Sequence, residues 1–169
     1  MEADSIYQET VPFPLILVVL LLLGAVAALM LGLLIYQLAV APLGSRPAPD
    51  WYYLVMFLFL TAICALVANF RRLNISITSQ GVKVSFGMIR RSIPWGEVED
   101  CYPDETVALG YGGWGIRVAK VRGKWRLAYT VVGHSRVVLS LRMGRFREFV
   151  FSTRNPQEVL RIARQQLGR

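Results

Sequence analysis

The sequence predicts a two-helix transmembrane hairpin followed by a mainly β domain, with about seven antiparallel strands and one C-terminal α-helix. Three observations predict this fold class. Residues 11–41 contain no Asp, Glu, Lys or Arg, residues 51–70 form a second charge-free run, and from residue 73 onward apolar and polar side chains alternate in short segments. A helix needs about 20 apolar residues to cross a bilayer, so each run is long enough to do so.

The two charge-free runs set the predicted domain boundaries. Residues 1–12 form an N-terminal tail, residues 13–70 form the hairpin, with spans at about 13–40 and 51–70, and residues 73–169 form the β-rich domain. The tail carries three acidic residues and no basic one, whereas a signal peptide begins with a basic region. The first run is therefore predicted to be a retained transmembrane helix.

Basic residues next to the spans predict the orientation of the hairpin. Arg71 and Arg72 directly follow the second span, whereas the loop between the spans offers only Arg46. The chain from residue 73 onward carries sixteen Lys and Arg against seven Asp and Glu. Because basic residues are enriched on the cytoplasmic side of membrane proteins, we expect both termini to be cytoplasmic.

Small residues recur on one face of each predicted span. Gly24, Ala28 and Gly32 are spaced by four residues and therefore share a helix face. The second span has a looser small-residue face, made of Thr61, Ala65 and Ala68. Small side chains let two helices approach closely in lipid. These faces pack against each other within the hairpin, or the first of them docks onto another membrane subunit.

Alternation with a period of two residues predicts the strands of the domain. The candidate strands lie at residues 73–78, 82–86, 90–93, 116–122, 125–131, 136–141 and 146–152. Glycine-containing turns separate many of them. Short strands at nearly regular spacing are typical of an antiparallel sandwich or barrel.

The last segment changes to a helical period. Asn155 suits the N-cap position, Pro156 the first helical position and Glu158 the third. The apolar face that follows is made of Val159, Leu160, Ile162, Ala163 and Leu167. We expect this amphipathic helix to close one open end of a bent barrel.

Four segments of the domain carry a family resemblance. They are residues 73–84, 91–98, 112–117 and 151–160. Together with the hairpin, they resemble one branch of the bacterial membrane-anchored PH-like domain proteins, over roughly residues 73–167. The resemblance implies a PH-like barrel and a bacterial inner (plasma) membrane location, but it implies little about activity.

No set of residues predicts a catalytic or cofactor site. Gly110, Gly112 and Gly115 match a dinucleotide fingerprint, but a strand follows them and no acidic residue lies at the required distance. His134 has no recognisable nucleophile, and Cys101 has no neighbouring ligand at metal-binding spacing. We therefore predict no enzyme activity, no cofactor and no metal.

An acidic cluster surrounds Cys101. It consists of Glu97, Glu99, Asp100, Asp104 and Glu105. Its spacing fits no calcium loop. We expect these residues to form a solvated acidic edge that pairs with nearby arginines. The alternative is a docking surface for a basic partner.

Basic residues bracket several predicted turns and form the candidate contacts to lipid head groups or to a partner. With the two arginines after the second span, they are Arg71, Arg72, Arg90, Arg91, Lys120, Arg122, Lys124, Arg126, Arg142, Arg145 and Arg147. Ordinary solvation is the simpler interpretation. Only Lys83 lies near the first hairpin turn, so specific phosphoinositide binding is not predicted, and nucleic acid is not expected because stacking aromatics are missing from a basic face.

These features predict a non-enzymatic membrane protein whose cytoplasmic domain is an interaction or accessory module. Its expected partners are membrane lipids and other integral membrane subunits, with no small-molecule substrate, and it would assemble or stabilise a membrane protein complex. The first alternative is a membrane-surface module that binds anionic lipid. A transport subunit is less favoured, because neither span carries an ionisable residue. A small membrane enzyme, which would use the acidic cluster or His134, is also less favoured.

Overall fold

The computed structural model of the chain describes residues 5–42, 44, 47–106 and 108–168. The chain divides into two compact units. The β-rich unit comprises the residues up to Phe13 and those from Arg72 onward, and the helical unit comprises Pro14–Arg71. Arg46, the basic residue of the predicted external loop, lies outside the described residues.

The helical unit contains two helices that are long and apolar enough to cross a membrane. Helix α1 spans Pro14–Ala39 and helix α2 spans Asp50–Ala68. The helices pack against each other, with Ala27 and Leu34 as the buried residues of α1. The Gln37 amide donates hydrogen bonds to the Ala48 carbonyl at 2.8 Å and to the Asp50 carboxylate at 2.5 Å. These bonds tie the end of α1 to the start of α2, which agrees with the predicted hairpin.

Sheet A is a four-stranded antiparallel sheet in the β-rich unit. Its strands are β1 (Ser5–Pro12), β2 (Arg72–Thr78), β3 (Gly81–Phe86) and β4 (Ile89–Pro94), and they lie in that order. The sequence predicted only a tail before the hairpin, but most of that tail is strand β1. The strand was missed because its inward positions include the polar residues Tyr7 and Glu9, so apolar alternation is weak.

Sheet B has five strands. They are β5 (Val98–Pro103), β6 (Gly115–Val121), β7 (Lys124–Thr130), β8 (Ser135–Leu141) and β9 (Glu148–Thr153). Their order is β5-β8-β9-β7-β6, and β7 pairs with β9 in parallel while the other pairs are antiparallel. Strand β9 is buried along its whole length, as expected of a central strand that is covered on both faces.

The predicted count of about seven strands and the predicted antiparallel barrel were therefore wrong. The described residues form nine strands in two sheets, and no barrel closes. The second unpredicted strand is β5, whose glutamate and aspartate residues and terminal proline are all depleted in strands. Strands β7 and β9 are not consecutive in sequence, so local alternation cannot predict that they pair.

The core lies between the inner face of sheet A, sheet B and the C-terminal helix α3 (Pro156–Leu167). The ring of Phe86 on β3 stacks at 5.9 Å from Tyr129, and Tyr129 lies 5.3 Å from the ring of Phe149. Helix α3 contacts β5 and β8 and buries Val159, Ile162 and Ala163. The predicted C-terminal amphipathic helix is thereby confirmed. Asn155 occupies the N-cap position, although its side chain makes no capping hydrogen bond.

Candidate functional sites

The small-residue faces of α1 and α2 are open in the structure. Ala28 and Gly32 are exposed, Gly24 is half-buried, and a Cβ atom added to either glycine would meet nothing within 4 Å. The face on α2 is exposed as well, at Thr61, Ala65 and Ala68. Ala28 and Gly32 therefore lie outside the buried contact between the two helices, whereas Gly24 lies at its edge.

Arg126 lies in a buried ionic network on one face of sheet B, which we call the Arg126 network. Its side chain is 5% exposed. The guanidinium pairs with Glu148, the register partner of Arg126 on β9, and lies 3.3 Å from the Asp104 carboxylate. It also donates hydrogen bonds to the hydroxyls of Tyr111 at 2.8 Å and Thr106 at 3.0 Å. The prediction that Arg126 contacts head groups or a partner was therefore wrong.

Asp104 is the second centre of the Arg126 network. Its side chain is only 1% exposed, so the prediction of a solvated carboxylate was wrong at this position. It accepts hydrogen bonds from Arg136 at 2.7 Å, from the Tyr111 hydroxyl at 3.0 Å and from the Thr106 backbone amide at 3.1 Å. The other members of the predicted acidic edge are exposed, namely Glu97, Glu99, Asp100 and Glu105.

Hydrogen bonding keeps the carboxyls of the Arg126 network charged. Burial by itself raises the pKa of Asp104, but hydrogen bonds from Arg136 and Thr106 hold that pKa below its ordinary value. Burial also raises the pKa of Glu148, and hydrogen bonds from Tyr102 and Arg126 outweigh it and lower that pKa. Burial and the Glu148 carboxylate raise the pKa of Tyr102 to about 12. Two carboxylates facing two arginines form a balanced structural network, and neither is poised for proton transfer at neutral pH.

The Arg126 network holds the segment before β6 against sheet B. Tyr111, in a single 3-10 turn, packs on Ala128, Val138 and Val150. The glycines that follow adopt left-handed backbone conformations, with φ of 72° at Gly112 and 90° at Gly115. Strand β6 begins at Gly115, so the fingerprint-like glycines form a turn into a strand and lack the helix that a dinucleotide site requires.

The basic residues of two turns meet at one end of sheet B. The Arg147 backbone amide donates to the Trp125 carbonyl at 2.9 Å, which brings the β6–β7 turn next to the β8–β9 connection. The exposed bases of these turns are Lys120, Arg122, Lys124, Arg142, Arg145 and Arg147. Lys124 lies 3.3 Å from the Glu148 carboxylate, and Arg147 donates to the Arg142 carbonyl at 2.7 Å. Arg71 and Arg72 are also exposed, at the junction of the two units.

A groove of about 470 Å³ lies on sheet A, and we call it the sheet A groove. Its lining includes three bases and three hydroxyl groups, from Lys83, Arg90, Arg91, Ser76, Ser85 and Ser92. The sequence identified Arg90 and Arg91 as candidate contacts. It gave Lys83 no role, although alternation along β3 placed this side chain opposite the buried face.

His134 and Cys101 each contact a backbone carbonyl oxygen. His134 Nδ1 lies 2.8 Å from the Val132 carbonyl oxygen in a turn. Cys101 is buried against the Leu160 carbonyl, and this burial raises the pKa of its thiol. Within the described ranges, no three His, Cys, Asp or Glu side chains are grouped to hold a metal ion.

The fold defines a class of protein with two membrane-length apolar helices and a β-rich unit of two sheets and one C-terminal helix. Comparisons with protein-family models, with curated proteins and with solved structures find no match to this chain. The resemblance to PH-like domain proteins therefore stays a prediction.

Proposed function

We propose that the chain is a non-enzymatic, double-pass protein of a bacterial inner membrane. In this proposal, its cytoplasmic PH-like unit is an interaction or accessory module that assembles or stabilises a membrane protein complex. The observation that carries the proposal is the open Gly24–Ala28–Gly32 face on a helix apolar enough to span the membrane. Such a face suits close approach by a helix of another subunit.

The pairing of β1 with β2 supports the proposed topology. Pro12 pairs with Arg72, so the strands on either side of the helical unit are neighbours in one sheet. A sheet cannot form across a bilayer, so two membrane-spanning helices require both strands on the same side. Arg71 and Arg72 favour the cytoplasmic side. We expect protease added outside intact cells to leave residues 73–169 uncut, and cleavage there would contradict this orientation.

Substitution of Gly24 and Gly32 by Leu tests the partner proposal. A Cβ atom added at either site meets nothing within 4 Å, so we expect the hairpin still to form, while the larger side chains keep a second helix at a distance. We expect the double variant, extracted in a mild detergent, to lose its co-purifying membrane proteins and to show a smaller particle mass.

Val26→Phe is the matched control, because it enlarges an exposed side chain of α1 outside the small-residue face. It should leave the companions and the mass unchanged. The same companions and mass in the Gly24→Leu/Gly32→Leu variant would contradict the proposal.

Binding of anionic lipid at the membrane surface is the second candidate function. The sheet A groove favours it, because bases and hydroxyl groups line a concave surface. Transport is less favoured, since Asp50 at the start of α2 is the sole Asp, Glu, Lys, Arg or His within the two described helices.

A further inference from the structure

We propose that the sheet A groove binds the phosphate group of an anionic phospholipid head group, with Lys83 and Arg90 as its cationic contacts. The proposal adds a binding site to the proposed function and rests on the placement of the β-rich unit at a membrane surface.

The strand register places the groove residues in two polar rows across sheet A. One row runs Thr10, Asn74, Ser85 and Arg90, and the next runs Gln8, Ser76, Lys83 and Ser92. Side chains on one face of a sheet alternate with those on the other, so the eight polar residues share the face opposite the core. Arg90 and Lys83 therefore flank the hydroxyl-bearing residues Ser85 and Ser76 on adjacent rows.

No carboxylate neutralises the bases of the groove within the part of the chain that the structure describes. Glu9 is the single acidic residue among the strands of sheet A, and its carboxylate is occupied elsewhere. It accepts hydrogen bonds from the Thr153 hydroxyl and from the Arg154 backbone amide, the latter at 2.7 Å. The described residues offer Lys83, Arg90 and Arg91 no ion-pair partner.

The chemistry of the groove matches a phosphate oxyanion. Arginine donates several hydrogen bonds in a planar arrangement that suits phosphate, and lysine and serine add further donors. The volume of about 470 Å³ lies within the usual size of small-ligand pockets and exceeds what a single water-sized ion needs. An anion with a phosphate group and a polar substituent is therefore the ligand class that fits.

The position of the groove favours a lipid over a free phosphate compound. Its first polar row is one residue from Leu73, which pairs with Phe86 next to the β3–β4 turn. Three residues separate α2 from β2, so this end of the sheet is joined to a membrane-length helix by a short link. The turn also presents Met88, whose side chain is 84% exposed. An exposed apolar residue beside arginines is typical of a surface that contacts lipid.

The test uses the full-length protein in a non-ionic detergent and measures ligand binding by calorimetry. The probes are water-soluble short-chain phosphatidylglycerol, the corresponding phosphatidylcholine, and inorganic phosphate. We expect phosphatidylglycerol to bind more tightly than either other probe. Lys83→Gln/Arg90→Gln should weaken this binding by about tenfold or more, because both cationic contacts are lost.

Two further variants keep the test falsifiable. Ser85→Asp retains both bases but adds a negative charge to the groove, and it should weaken binding by about tenfold as well. Arg117→Gln/Arg154→Gln removes the same net charge at exposed sites outside the groove and should change binding by less than about twofold.

If the control variant weakens phosphatidylglycerol binding as much as Lys83→Gln/Arg90→Gln does, the groove is not the binding site. The lipid would then be attracted by the net positive charge of the protein. Equal affinity for phosphatidylcholine or for inorganic phosphate would overturn the assignment of the ligand. Neither result depends on the small-residue faces of the helices, so a failure here is distinct from a failure of the partner proposal.

Discussion

Replacing Arg126 by Met should lower the free energy of unfolding of the β-rich unit by about 3–5 kcal/mol. Met fills a similar volume but removes the cation that faces Glu148 and Asp104. Both of these carboxylates are almost fully buried, at 3% and 1% side-chain exposure. Glu148 would lose its guanidinium partner, Asp104 would keep only Arg136, and a buried charge without its full pairing is strongly destabilising.

Urea unfolding of the full-length protein in detergent measures this effect, with the reactivity of the Cys101 thiol as the signal. Cys101 is buried beneath α3, and a Cys64→Ser background removes the second thiol. Arg142→Met is the matched control, because Arg142 is exposed, and it should change the free energy by less than about 0.5 kcal/mol.

Adding Glu148→Gln to Arg126→Met should recover part of the loss, because it removes one of the unpaired charges. An Arg126→Met protein within about 1 kcal/mol of the parent would show that the Arg126 network contributes little to stability.

Replacing Val11 by Asp should destabilise the β-rich unit by about 3 kcal/mol or more. Val11 lies on β1, has no exposed surface and pairs with the buried Leu73 on β2. An aspartate there must either bury a charge or break the strand pairing. The prediction distinguishes a strand from a flexible tail, because a tail would tolerate this change.

Thr10→Asp supplies a closely matched control. Thr10 is the preceding residue, is exposed and lies on the opposite face of β1, so it receives the same charge without burying it. We expect a change of less than about 1 kcal/mol in the same urea assay. Equal losses in Val11→Asp and Thr10→Asp would contradict the observed register of β1.

Most elements of the fold were predictable from local patterns. The charge-free runs located α1 and α2, because long apolar segments of this kind favour helices of membrane-spanning length. Alternation located seven of the nine strands, and Pro156 with the apolar face after it located α3. Strands β1 and β5 were missed because their polar and acidic residues hide the alternation, and those residues find their partners only in the folded chain.

The candidate site residues also divide into those that local sequence patterns could place and those that they could not. Arg90 and Arg91 were recognisable as bases beside a turn. Alternation and register place Arg90 on the outer face of sheet A beside Ser85, whereas Arg91 pairs with the buried Val84. Arg126 also lies near a turn, in strand β7, but its side chain points into a buried network. Its partners Asp104 and Glu148 are each 22 residues away in sequence, on opposite sides of Arg126. The spacing of charged residues within a short stretch of sequence cannot predict an ion pair between residues this far apart.

Two membrane-length helices, a basic β-rich unit and a C-terminal helix could be predicted before folding was considered, because hydrophobic length and periodicity are local properties. The folded chain was needed to show which charges neutralise each other, that the N-terminal segment is a strand, and that Ala28 and Gly32 on α1 are exposed. These outcomes depend on contacts between distant residues, and no window of sequence contains them.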